Sequence, residues 1–145
     1  MTVIQEKTIF NGTNGTLWMS TESEEVEITS VQSFTMTQTN NYEEYNSPNE
    51  YGTFQKFIGY SLAGNISKYK VDNKLINVLA EYAKGNQPDI YLIGKVENPS
   101  TGKLQRIKYS NVTIDSGDLT NFEQKVATKE EIPVKAAKYT LLDNN

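Results

Sequence analysis

EEVEITSVQSFTMTQ (Glu24–Gln38) and FQKFIGYSLAGNISKY (Phe54–Tyr69) decide the fold. In the first, Val26, Ile28, Phe34 and Met36 fall on one side and Glu25, Glu27, Thr29, Ser33, Thr35 and Thr37 on the other. In the second, Ile58, Tyr60, Leu62 and Ile66 oppose Gly59, Ser61, Ala63, Asn65 and Ser67. Side chains alternate across a strand, so each segment reads as a strand with a greasy face and a wet face. At roughly 3.3 Å per residue, about fifteen residues span on the order of 50 Å, where strands of about 5–6 residues are usual. Long strands with small polar groups on one face predict a sheet with water on that side.

The surrounding chain supports a single domain over residues 1–145, large enough to bury a core without staples. With 14 basic and 18 acidic residues the net charge is −4, which argues against a nucleic-acid grip built on phosphate neutralisation. There is no cysteine and no histidine. Disulfides, thiolate metal sites and the nucleophile systems that depend on Cys or His are thereby excluded. Paired carboxylates remain as a route to hydrolysis, but Glu24, Glu25, Glu27, Glu43, Glu44, Glu130 and Glu131 sit in short acidic runs typical of solvated surface. The expectation is a non-enzymatic protein without cofactor or metal. Asp115-Ser116-Gly117-Asp118 lacks the later ligands of a calcium loop and reads as a turn. The first ten residues, MTVIQEKTIF, lack the layout of a secretory signal, and the expectation is a soluble, cytoplasmic protein or assembly.

Other elements follow in order. Asn11–Gly15 is turn chemistry, and Thr16–Ser20 is a short strand carrying Trp18, turning through Thr21–Ser23 into the first long strand. Asn40–Thr53, with Pro48 and Gly52, has no periodicity and reads as a connector longer than an ordinary hairpin loop. Its tyrosines suit either a mobile polar loop or an interface arm formed by Tyr42, Glu43, Glu44, Tyr45 and Tyr51. Asp72–Lys84 predicts a helix: Asp72 as N-cap, a stripe of Leu75, Ile76, Leu79, Ala80 and Ala83, and Gly85 closing the end. Asp89–Glu97 and Lys103–Ser116 form a hairpin, and Phe122–Ala127 and Glu130–Leu142 a last strand pair, with Pro133 marking an edge or bulge. The fold class is mainly β with one helix: a barrel or sandwich with two long strands and a flanking helix.

An ordered set of short motifs carries a resemblance. They are NGTNGTLWM (11–19), FIGYSLAGNI (57–66), KVD (70–72) with LAEY (79–82), QPD (87–89) with IGK (93–95), Asp115-Ser116 and YTLLD (139–143). In order and total length the chain resembles the tail tube proteins of contractile-tailed bacteriophages, and among them the group typified by the defective prophage PBSX, which includes clostridial phage-tail-like particles.

The resemblance implies a tail-tube-like β-barrel or sandwich fold flanked by a helix, and a structural subunit that forms six-membered rings stacked into a hollow tube. The tube would conduct DNA or, in bacteriocin-like particles, puncture a membrane. The implied partners are other copies of itself, a tail sheath protein, a tape-measure protein in the bore, and baseplate and terminator proteins. DNA would only be in transit, and the target membrane would be met only indirectly. The implied location is a virion tail or tail-like particle assembled in the bacterial cytoplasm. On this reading the wet face, Glu25, Glu27, Thr29, Ser33, Thr35, Thr37, Gly59, Ser61, Ala63, Asn65 and Ser67, lines the bore and contains no Lys or Arg. The residues alone leave a monomeric β-sandwich binding module as the alternative.

Overall fold

A computed structural model describes residues 15–21, 24–28, 31–46, 48, 51–71 and 73–144. Among these residues, eight strands and one helix follow in the order β1 (Gly15–Thr21), β2 (Glu24–Glu27), β3 (Val31–Asn46), β4 (Thr53–Tyr69), α1 (Lys74–Ala83), β5 (Ile90–Asn98), β6 (Lys103–Ile114), β7 (Lys129–Ala136) and β8 (Lys138–Asn144). All pairings are antiparallel, in the order β2-β1-β5-β6-β7-β4-β3, with β8 also on β6. The sheet folds over at β6. There Asn111 takes φ 53, a left-handed conformation that Asn tolerates better than most residues. Opposite this bend, Ala137 donates its backbone N–H to Ser110. Here the chain passes from β7, paired with β4, to β8, paired with the first half of β6.

Two layers result, and the core lies between them. Leu17, Ile90, Leu92, Tyr109 and Val112 of one layer are buried together with Leu62, Ile66, Ile132 and Val134 of the other. The layers touch closely where Phe34 of β3 lies over Gly94 of β5; a Cβ there would come within 3.2 Å of the ring. Phe34, Tyr109, Tyr139 and Tyr60 form a run of ring contacts across the gap, with centroids 5.9, 6.5 and 6.1 Å apart. The Tyr139 hydroxyl donates to Gln38 Oε1 at 2.6 Å, tying β8 to β3. Farther along, α1 closes the sandwich by burying Leu75 and Val78. Each fully buried aliphatic side chain contributes roughly 1.5–3 kcal/mol.

Several expectations need correction. The first long strand is not continuous from Glu24 to Gln38: Glu24–Glu27 pairs with β1, and the long strand starts at Val31. The connector expected over Asn40–Thr53 is mostly ladder, because β3 runs to Asn46 and β4 starts at Thr53. Backbone hydrogen bonds between facing segments make that ladder, and side-chain periodicity does not report them. Cross-strand pairs support it: Tyr42 packs edge-on against Phe57, and Glu43 stands opposite Lys56. Asn73, not Asp72, is the helix N-cap, without a side-chain cap bond, and Asp72 lies outside the described residues. The helix turns Leu75, Val78, Leu79 and Tyr82 inward, while Ala80 and Ala83 are exposed. Gly85, at φ +88, ends it as expected, with Gly85 N–H to Tyr82 O and Asn86 N–H to Glu81 O. Phe122–Ala127 is not a strand but a turn with a Glu123–Val126 bridge. Glu130–Leu142 is two strands in line, β7 and β8. Pro133 sits inside β7, where its carbonyl accepts from Asp115 N–H just past the end of β6. The N and C=O of one strand residue point the same way, so its missing N–H faces the place where the β6 ladder stops.

Candidate assembly surfaces

The polar face is set by register. β3 and β4 pair Ser33 with Ser67, Thr35 with Asn65, Thr37 with Ala63 and Thr39 with Ser61. Residues directly opposite share a face, so these side chains form one surface. β7 extends it with Glu131 beside Ser67, Pro133 beside Asn65 and Lys135 beside Ala63, and β6 adds Thr113 beside Lys135. Ser33, Thr35, Thr37, Ser61, Ala63 and Asn65 are exposed, and Gly59 and Ser67 half-buried. The opposite side of the same strands carries the buried Leu62 and Ile66 and the half-buried Phe34 and Met36. The surface is therefore the outside of the sandwich, a sheet of hydroxyls and small groups backed by core.

Not all the expected residues join it. Glu25 and Glu27 lie on β2, which pairs with β1 in the other layer, and the break after Glu27 separates them from β3. Thr29 lies outside the described residues. The expected residues include no Lys or Arg, but Lys135, not among them, stands on the same face 3.8 Å from Asp115. Both groups are well exposed, so the pair adds little stability. Sequence reading missed Thr113, Glu131 and Lys135 because they come from strands remote in sequence. The signal was available in β7, where Lys129, Glu131 and Lys135 are exposed and Glu130, Ile132 and Val134 buried in alternation.

The second surface is the outer half of the β3–β4 hairpin. β7 pairs with β4 only from Leu62 to Tyr69, so among the described residues the hairpin beyond Tyr60 is a two-stranded ribbon. A bulge at Ile58 switches the pairing from Asn41–Gly59 to Tyr42–Phe57, and Gly59 supplies the unusual φ beside it. Tyr42, Glu43, Glu44 and Tyr45 thus lie on a strand, and Tyr51 lies in the turn at the tip, with no part of its side chain covered. Phe54, Phe57 and Ile58 are also about half exposed or more. A monomer rarely displays so many large apolar groups on one projection.

A third feature is an edge. Among the described residues β3 ends the strand order and has a partner on one side only. A 16-residue edge offers a template for another chain to pair with.

Among the described residues there is no grouping of three or more acidic side chains fit to hold a metal, and no helix long and apolar enough to cross a membrane. The Tyr109 phenol, which belongs to the core, has its pKa raised by burial and then by Tyr139.

Solved structures share this fold. A chain of the anti-feeding prophage baseplate superposes with a TM-score of 0.70 at 4% identity, covering 90% of this chain and 93% of that one. A chain of an extracellular contractile injection system, from its PVC sheath–tube complex in the extended state, gives 0.66 at 13% identity, covering 88% of each. The SPP1 tail tube gives 0.66 at 10% identity, covering 94% of this chain and 80% of that one. At these identities the likeness speaks for the fold. No curated protein matches the sequence. The profile of the phage tail tube proteins matches residues 2–143, nearly the whole chain. This hydroxyl-faced, open-edged sandwich therefore belongs to the phage tail tube protein family, a family of structural proteins and components of phage tails or tail-like particles.

Proposed function

We propose that the chain is the inner-tube subunit of a contractile tail of the PBSX-like kind, six copies closing a ring and rings stacking into a hollow conduit. The observation that carries this reading is the polar face on the outside of the sandwich, where small side chains of β3, β4 and β6 are joined by Glu131, Pro133 and Lys135 of β7. Such a surface is unnecessary for a monomer's stability and suits a wall that a polyanion must pass without sticking. Of its cations on β7, Lys135 has Asp115 beside it and Lys129 lies over the Tyr69 ring. Ring closure would pair the free edge of β3 with a neighbour and remove the hazard of an open edge. The opposite layer would then face outward, toward a sheath. Tape measure or DNA would occupy the bore, baseplate and terminator proteins would cap the ends, and a target membrane would be met only through the whole particle. Assembly would take place in the bacterial host cytoplasm.

Negative-stain microscopy of the concentrated protein, with and without baseplate initiator, tests this. Six-fold rings or tubes are expected. A 16.4 kDa monomer under every condition would return the protein to the binding-module class.

A further inference from the structure

Where α1 closes the sandwich, the two layers and the helix leave a cavity of about 60 Å³ between them. We propose that this cavity is a binding site for non-polar molecules of two or three heavy atoms, which enter from the side of α1. The proposal concerns the single subunit and does not depend on the tube reading.

The lining sets the chemistry of the guest. Of the thirteen described residues around the cavity eleven are apolar, among them Leu75 and Val78 of α1 and Ile66, Ile90, Ile132 and Val134 of the sandwich. The other two are lysines. Lys68 has its ammonium engaged, 3.0 Å from Glu130 Oε1 and 3.4 Å from the Tyr69 carbonyl, so its methylene stem is what it offers to a guest. Lys74 stands with Val71 at the outer end, where both are exposed. A water settles in a cavity only with about two to four polar partners, whereas an apolar cavity of about 150 Å³ takes benzene or xenon. Scaling benzene's six heavy atoms by volume, 60 Å³ admits about two or three. That size fits xenon and the shortest hydrocarbons and rejects benzene. The floor cannot close on the space, because its strands are paired on both sides: Ile66 lies between Phe34 and Ile132, and Leu92 between Met19 and Tyr109. The roof is held less firmly. Asn73 gives α1 no side-chain cap bond, and a long hydrogen bond, 3.4 Å from Ile114 N to the Tyr82 hydroxyl, ties the helix to β6. The yielding wall is therefore α1.

Xenon is the probe. The full chain is titrated with dissolved xenon while its methyl groups are followed by nuclear magnetic resonance. Saturable shifts are expected at Leu75, Val78 and Ile66, with none at the exposed Leu142 of β8. The melting temperature should rise with xenon pressure, because a guest that binds the folded chain alone stabilises it. Benzene should leave the same methyl groups unmoved. Val78→Ile/Val134→Ile adds two carbons to the wall and should abolish the xenon response. Absence of shifts in the wild-type chain, or shifts spread evenly over all its methyl groups, would overturn the site. Benzene shifts matching those of xenon would overturn the size assigned to the guest. An undiminished xenon response in a folded Val78→Ile/Val134→Ile chain would place the binding elsewhere. If that variant misfolds, the wild-type titrations with xenon and benzene decide the matter.

Discussion

Lys68 and Glu130 face each other across β4 and β7, with Nζ 3.0 Å from Oε1 and both side chains buried. The contact is short, yet its angle falls outside hydrogen-bond geometry, and Lys68 also donates to the Tyr69 carbonyl at 3.4 Å. Removing one partner of a buried pair strands the other charge, which costs about 3–5 kcal/mol. Glu130→Ala should lose that much in urea unfolding, and Lys68→Met/Glu130→Leu should recover most of it. A double variant as unstable as the single one would show that the pair itself, not its desolvation, holds this corner. Gly64 sets a second constraint. A Cβ there would run into the Thr35 carbonyl and come within 3.0 Å of Met36 Cα. Backbone cannot yield as a side-chain tip can, so Gly64→Ala should cost about 1–3 kcal/mol by parting β3 from β4. Equal stability by thermal melting would contradict it. At Tyr109, burial and then Tyr139 raise the phenol above its ordinary value of 10.0. The folded state thus keeps its proton longer than the unfolded one. The associated stability is complete below the unfolded value and fades as pH climbs through the folded one, which a pH series of urea melts should reveal.

At the scale of elements, α1 is the simplest test of packing. Leu75 reaches the core and also lines a small apolar cavity of about 60 Å³ with Ile66, Ile90 and Val134. Leu75→Ala should lose about 2–5 kcal/mol, toward the upper part of that range if the enlarged cavity cannot collapse. The sequence signalled this helix through periodicity and through Gly85, but it misassigned the buried face. Leu75, Val78, Leu79 and Tyr82 form an i, i+3, i+4, i+7 stripe beside the one first read, and only the position of the sheet chooses between neighbouring stripes. Tyr82 was easily passed over because its ring is buried only in part and its hydroxyl accepts from Ile114 N–H at 3.4 Å. The β3–β4 pair was legible where one face is apolar, from Phe34 to Met36 and from Leu62 to Ile66. It was illegible where the ribbon leaves the body, since Asn40–Asn46 has neither apolar alternation nor strand-forming composition and is ordered by its partner strand. Half of the polar surface was readable for the same reason. Thr35 and Ser61 alternate with core residues in one continuous segment, whereas Glu131, Lys135 and Thr113 reach the surface through long-range pairing that no local pattern records.

For the whole molecule, the polar face should tolerate change in the monomer and punish it in the tube. Thr35 and Ser61 are exposed and make no core contact, so Thr35→Lys and Ser61→Lys should shift monomer stability by no more than about 0.5 kcal/mol. In a ring each substitution is repeated in every copy, and each stacked ring repeats it again. One exposed ion pair at about 4 Å gains only about 1 kcal/mol in water. A polyanion threading the bore would meet such a pair from every copy at every level, and the sum becomes a barrier to movement. Both variants should therefore assemble tubes of ordinary appearance and slow the passage of DNA. Added salt should relieve the defect, because charges beyond about 8 Å are already screened at physiological ionic strength and only those at the wall hold the strand. Assembled particles can be scored for DNA release at rising salt. Normal release from both variants at low salt would mean that the Thr35–Ser61 surface does not line the bore. A defect that salt leaves unchanged would point to a disturbed wall rather than to charge.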